Sequence, residues 1–206
     1  MKKLISIIVV LFATMTVNAQ VTFNLKGGIG MASCIGSGDT SNSKLTFVAK
    51  FGGGIETPIS QNLSFMPSLE VAWKGGKYDI YDGTGTINLV YLQIPAVFAY
   101  RFNVNDRLNM TVKAGPYAAF ALSGNMKQDY VLGAMAYNYD VNIFKENGQS
   151  ITKAANRFDV GLDVGLDFEL HRFVLGLEYE LGFISFAPND NKLKNQAFYL
   201  NVGYKF

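Results

Sequence analysis

Phe158-Asp159-Val160-Gly161-Leu162-Asp163-Val164-Gly165-Leu166-Asp167-Phe168-Glu169-Leu170 places an apolar side chain at every even position and glycine or an acid at every odd one. A strict two-residue period puts the two sets on opposite faces of a β-strand. The alternation restarts after His171: Phe173, Leu175, Leu177, Tyr179, Leu181 and Phe183 oppose Arg172, Val174, Gly176, Glu178, Glu180 and Gly182. The last segment repeats it, with Phe198, Leu200, Val202, Tyr204 and Phe206 against Tyr199, Asn201, Gly203 and Lys205. Soluble strands run to about five or six residues, whereas a tilted membrane strand needs roughly nine to eleven. The pattern therefore predicts an all-β fold, an eight-stranded antiparallel transmembrane β-barrel of the outer-membrane type.

Eight candidate strands fall at about 22–34, 46–58, 62–75, 87–102, 107–122, 156–170, 172–186 and 196–206. The connections 59–61, 103–106 and 170–171 are tight, while 35–45, 76–86, 123–155 and 187–195 are long. Short and long alternate, as periplasmic turns and external loops do in such barrels, so both ends of the barrel domain fall on the periplasmic side. Pro67, Pro95 and Pro116 lie within the expected strands. Each removes a ladder donor, so local bulges or breaks are expected there.

The start of the chain supplies a route to a membrane. Lys2 and Lys3 precede an apolar stretch from Leu4 to Val17 and the small-residue signal Val17-Asn18-Ala19, so residues 1–19 read as a cleaved signal peptide and 20–206 as one barrel domain. Removing two lysines takes 18 basic and 16 acidic residues to 16 of each, which gives no electrostatic reason to expect nucleic acid as a partner. Charged residues make up 17% of the chain, below the roughly 25% of soluble domains, and no later run is apolar and long enough for a spanning helix. Cys34 is the one cysteine, so no intrachain disulfide forms and a packing role is expected of it.

Alternation alone does not say which face looks inward, since a soluble lipocalin-like barrel hides its apolar face. Residue types decide. The apolar face carries aromatics near both strand ends, such as Phe23, Phe102, Phe173 and Tyr204 at one end and Phe47, Trp73, Phe120 and Phe158 at the other, matching two headgroup belts. The polar face is rich in glycine, which suits a narrow lumen. Lys26, Lys50, Lys74, Arg101, Lys113, Arg172 and Lys205 are then expected to face Glu56, Glu70, Asp159, Asp163, Asp167, Glu169, Glu178 and Glu180 in a pairing network that plugs the barrel. A proton or ion path along Asp159, Asp163 and Asp167 is the sharper alternative.

No catalytic, cofactor or metal site is expected. The sole histidine, His171, sits at a short turn, the wrong end for a lipid-modifying triad, and one histidine with one cysteine makes a poor metal set. Lys26-Gly27-Gly28-Ile29-Gly30 has no following helix to hold a phosphate. Binding falls to the long loops. Tyr130, Tyr137, Tyr139 and Phe144 in the longest one are the candidate contacts, and the alternation from Tyr137 to Phe144 suggests a protruding hairpin; the competing reading has these aromatics resting on the barrel rim. Tyr204 and Phe206 form the expected insertion signal for the barrel-insertion machinery. Expected partners are outer-membrane lipids, that machinery and an extracellular or secretion-system protein.

Lys50-Phe51-Gly52-Gly53-Gly54-Ile55-Glu56-Thr57-Pro58-Ile59-Ser60, then Tyr91-Leu92-Gln93-Ile94-Pro95, Ala114-Gly115-Pro116-Tyr117, Arg157-Phe158-Asp159-Val160-Gly161 and Leu200-Asn201-Val202-Gly203-Tyr204-Lys205-Phe206 follow one another in an order that resembles the PorT-like outer-membrane barrels of the Bacteroidetes. The resemblance implies an integral outer-membrane barrel, and its namesake is linked to protein secretion across that membrane. Gln93 stands where the family usually has an acid. The orientation has one sharp test: Leu162, Leu177 and Val202 must lie outside and Asp163 and Glu178 inside.

Overall fold

The computed structural model describes residues 21–36, 43–80, 83–105, 107–132, 135–145, 154–187 and 193–206; the side chains of residue 80 and residues 130–137 lie outside that description, as does the expected signal peptide. Nine strands follow in chain order: β1 (Thr22–Gly36), β2 (Thr46–Pro58), β3 (Leu63–Ile80), β4 (Gly83–Asn103), β5 (Leu108–Leu132), β6 (Met135–Asn142), β7 (Phe158–Leu170), β8 (Phe173–Gly182) and β9 (Leu193–Lys205). Each pairs antiparallel with its neighbours in the order β4-β3-β2-β1-β9-β8-β7-β5, and β5 returns to β4, which closes a ring of eight. β6 stands outside the ring on β5. First and last strands seal the ring through Leu25↔Tyr204, Gly27↔Val202 and Ile29↔Leu200, so the ring has no exposed ladder edge.

The side chains sort as a bilayer requires. Leu162, Leu177 and Val202 are 40%, 39% and 60% exposed, while Asp163 and Glu178 are each 1% exposed. A barrel with that polarity hides its charges and presents oil, the reverse of a soluble lipocalin-like shell. Aromatic pairs mark both ends of the wall: Phe173 with Tyr204 at 5.3 Å beside the short turns, and Phe120 with Phe158 at 5.1 Å beside the long connections. At the turn end, His171 adopts φ 56° to reverse the chain between β7 and β8 in two residues. Asn105 accepts hydrogen bonds from the Arg107 and Leu108 amides and fixes the β4–β5 turn.

The loop end departs from expectation. Residues 76–80 and 83–86, expected in a loop, continue β3 and β4, with Tyr78 opposite Gly85. Residues 123–132 likewise continue β5, which pairs with β4 up to Gly83↔Tyr130. β7 leaves β5 at Phe120↔Phe158, and above that level β6 takes the vacated edge from Asn125↔Asn142 to Leu132↔Met135. The protruding hairpin is therefore the top of a four-stranded blade, β3-β4-β5-β6. Polar positions such as Lys77 and Asp79 hid these strands because the outer face of a blade above the membrane touches water.

The prolines break pairings without breaking strands. The β2–β3 ladder skips from Gly54↔Ser68 to Thr57↔Phe65, passing Pro67. The β3–β4 ladder skips from Pro67↔Ala96 to Glu70↔Gln93, passing Pro95, and the β4–β5 ladder from Pro95↔Tyr117 to Phe98↔Ala114, passing Pro116. Each proline keeps its partner on the opposite side, because only its amide is missing. The register shift itself lies at Val90/Tyr91. There β5 carries an extra residue, Leu122 and Ser123 are both exposed, and Gly124, Met126 and Gln128 turn inward.

Candidate functional site

The turn-end and middle lumen hold the expected charges, now with partners. Lys50 on β2 sits at the centre, 3.2 Å from Glu70 and 3.0 Å from Glu180, and also contacts Glu178. Lys26 reaches Glu70 at 2.7 Å and Glu178 at 3.2 Å. Lys113 reaches Asp167 at 2.9 Å and Glu178 at 3.2 Å, and Lys74 reaches Glu180 at 2.7 Å. A second knot lies nearer the turns: Glu56 takes Arg101 at 2.6 Å and Lys205 at 2.7 Å, and Glu169 takes Lys205 at 2.8 Å and Arg101 at 3.3 Å. Hydroxyls of Ser64 and Thr111 donate to Glu56 and Glu169. Burial makes such a set stable only when every member is paired.

Two expected members behave differently. Arg172 is exposed on the β7–β8 turn and takes no place in the lumen. Its alternating position is cut off by the two-residue reversal, which ends the strand before the barrel begins. Asp159 and Asp163 are buried but enter no ion pair among the described residues. Asp159 instead accepts from the Tyr117 hydroxyl at 3.1 Å and the Asn195 amide at 3.3 Å. Asp159, Asp163 and Asp167 thus share one face of β7 without sharing partners.

Carboxylate oxygens of Glu70, Glu178 and Glu180 lie within 4.8 Å of one another, a spacing a cation would favour. The Lys50 ammonium contacts all three and supplies that charge. Near Lys26, Lys113 and Lys205 the remaining internal space is about 40 Å³, room for water alone.

The loop-end lumen is filled differently. Leu89, Tyr91, Ala119, Ala121, Val141, Ile143, Phe144, Phe186 and Leu193 form a buried apolar plug with Cys34. The 141–144 segment folds back into the mouth, and Gly124 leaves the space for it: a Cβ there would lie 2.4 Å from the Phe144 ring. Arg157 closes the top, with its guanidinium 4.4 Å from the Phe144 ring centre and a hydrogen bond to the Ala121 carbonyl at 3.0 Å. Cys34 is 4% exposed within this plug, in keeping with packing.

This plug corrects the reading of the loop aromatics. Phe144 is 7% exposed and cannot serve as a surface contact, and Tyr139 packs against the same cluster, so these two follow the rim reading. The parity change at Leu122 sends this region inward, which no local pattern announces. Tyr130 and Tyr137 face each other in the β5–β6 ladder, and their side chains lie outside the described residues.

Between the two halves stands a ring of tyrosines that the sequence reading passed over. Lys50 lies 4.7 Å from the Tyr199 ring centre and Lys74 lies 4.1 Å from that of Tyr117. The hydroxyl of Tyr199 donates to the Trp73 carbonyl, and that of Tyr91 accepts from Asn195. Gln93, where the resembled family usually has an acid, donates to Glu180 at 2.8 Å. Their signal was available: Tyr117 shares its parity with Lys113, and Tyr199 with Asn201.

Similar shapes occur among solved structures. Neisserial surface protein A is 15% identical over 89% of this chain and 97% of that chain, with a TM-score of 0.47. The attachment invasion locus protein Ail of Yersinia pestis is 15% identical over 90% and 98%, at 0.42. The N-terminal β-barrel domain of OprF from Pseudomonas aeruginosa is 12% identical over 92% and 100%, at 0.34. None of these likenesses carries a role to this chain, and no curated protein matches it. Residues 15–187 match the model of the outer membrane protein beta-barrel domain, so the chain belongs to that family and is an integral protein of the outer membrane.

Proposed function

We propose that the barrel is a plugged scaffold whose external blade binds an extracellular or envelope protein, with no catalytic role. The observation that carries this reading is the growth of β5 beyond the ring to pair with β6. The blade has an apolar inner face, where Gln128 donates to the Tyr78 hydroxyl at 3.0 Å, and a charged outer face with Lys77, Asp79, Lys127, Asp129, Asn138 and Asp140 exposed. Lys44–Asp79 and Lys127–Asp140 pairs brace that face. A strand-paired, polar projection on a plugged barrel is suited to recognition rather than transport. A photocrosslinking residue at Asn138 or Asp129 in living cells is expected to give a discrete adduct that the same residue at lipid-facing Leu162 does not give. Identical adduct patterns at all three positions would overturn the reading.

The resemblance of the 50–60, 91–95 and 114–117 motifs to PorT-like barrels supports the second reading, an accessory role in secretion. Loss of the protein is then expected to deplete the medium of exported proteins, and an unchanged medium would eliminate this role. The terminal residues Tyr204 and Phe206, 5.1 Å apart at the periplasmic belt, are proposed as the segment read by the insertion machinery.

A further inference from the structure

The lipid-facing wall is not uniformly padded. Outward positions along β1 and β2 carry Phe23, Leu25, Ile29, Phe47 and Phe51, all exposed, but Gly27 and Gly53 interrupt them. Gly27 pairs with Phe51 on one side and Val202 on the other, and Gly53 pairs with Leu25 and Leu69. The missing side chains leave a shallow, open groove in the wall, floored by backbone and bounded by Leu25, Phe51, Leu69, Phe173, Val202 and Tyr204.

Packing does not demand the glycine at Gly27. A Cβ added there would meet only the Lys50 carbonyl oxygen, at 3.9 Å, and no positive φ requires glycine. Glycine weakens a strand interior, so a lipid-facing strand without another constraint would carry a β-branched residue. Its retention leaves the groove open.

Position and charge select the occupant. Gly27 lies four residues above Phe23, about 13 Å along the strand from the periplasmic aromatic belt, so the groove occupies the periplasmic half of the wall. Its lower mouth is the Phe173–Tyr204 pair, and the exposed Arg172 and His171 follow directly on the turn below Phe173. An oily channel that opens beside a cation at headgroup depth matches a chain with a phosphate at its end. We propose that the groove holds one acyl chain of a phospholipid from the periplasmic leaflet, with its phosphate at Arg172.

Trp73 provides a built-in reporter, since it is the one tryptophan of the chain and its ring centre lies 6.1 Å from that of Phe51 on the groove wall. Folded protein in detergent is titrated with phosphatidylglycerol bearing brominated chains, and Trp73 quenching is followed. Saturable quenching at one lipid per barrel is expected. Gly27→Leu fills the groove and is expected to raise the half-saturating concentration by about tenfold or more, and Arg172→Gln by about threefold, while heat-modified gel mobility stays that of a folded barrel. Quenching that rises without saturation, or equal titrations of Gly27→Leu and the unaltered protein, would overturn the assignment. So would a dimer in sedimentation that Gly27→Leu abolishes, since the groove would then belong to a second copy. These outcomes are independent of what the external blade binds.

Discussion

The two halves of the lumen are walled largely by the same strands, yet one is salt and the other oil. Toward the periplasm, Lys50, Lys26 and Lys113 are interlocked with Glu70, Glu178 and Asp167. Toward the outside, Leu89, Val141, Ile143 and Phe144 pack without a charge between them. The difference comes from who supplies the filling. The lower half is filled by the ring itself, and side chains that cross a narrow lumen from opposite walls reach one another best as long ions. The outer half is filled partly by a chain segment folded in from a loop, and a loop must be held by burial of apolar surface. A charged lower half makes the barrel depend on complete pairing; an oily upper half makes it depend on complete filling.

The largest effect should come from breaking the pairing. Lys50→Met leaves Glu70, Glu178 and Glu180 without their shared cation, and is expected to cost about 3–5 kcal/mol of stability in urea unfolding of the folded barrel. Adding Glu178→Gln to that variant should restore part of the loss, because one uncompensated charge is removed. If Lys50→Met unfolds at the urea concentration of the unaltered protein, the lower half is not held by its ions.

Breaking the filling comes next. Phe144→Ala empties the space above Gly124 and should cost about 3 kcal/mol, measured in the same unfolding experiment. Arg157→Gln removes the cation over Phe144 and is expected to cost only about 1 kcal/mol.

The finest comparison uses Cys34, which belongs to the outer plug. Cys34 is 4% exposed among apolar side chains, so maleimide labelling of the folded barrel should run far slower than labelling of the unfolded chain. Phe144→Ala should speed labelling and Lys50→Met should leave it unchanged. Equal acceleration by both variants would show the halves to be one cooperative unit.

Much of this molecule was legible one residue at a time. The run from Phe158 to Leu170 declares its two faces, and the observed burial of Asp159, Asp163 and Asp167 against exposed Leu162 follows the written alternation. Lumen membership of Lys26, Lys50, Glu56, Glu70, Arg101, Lys113, Glu178 and Glu180 followed from parity as well. Parity failed where it was reset. The extra residue at Leu122 exchanged the faces of β5, so Met126 and Gln128 turned inward and Phe144 found a buried seat. Arg172 failed for a related cause, because a turn cut short the strand to which its alternation belonged.

The sequence by itself determined the eight strands of the ring and, below the extra residue at Leu122, which side chains meet lipid and which are confined, because those follow from a two-residue period that each strand carries locally. Only the tertiary structure decided who pairs with whom: Lys50 with Glu180 across 130 residues, β1 with β9, and β6 on the edge that β7 gives up. Closure of the ring sets the stagger between strands, and that stagger, a property of all eight together, brings distant side chains to one level of the lumen.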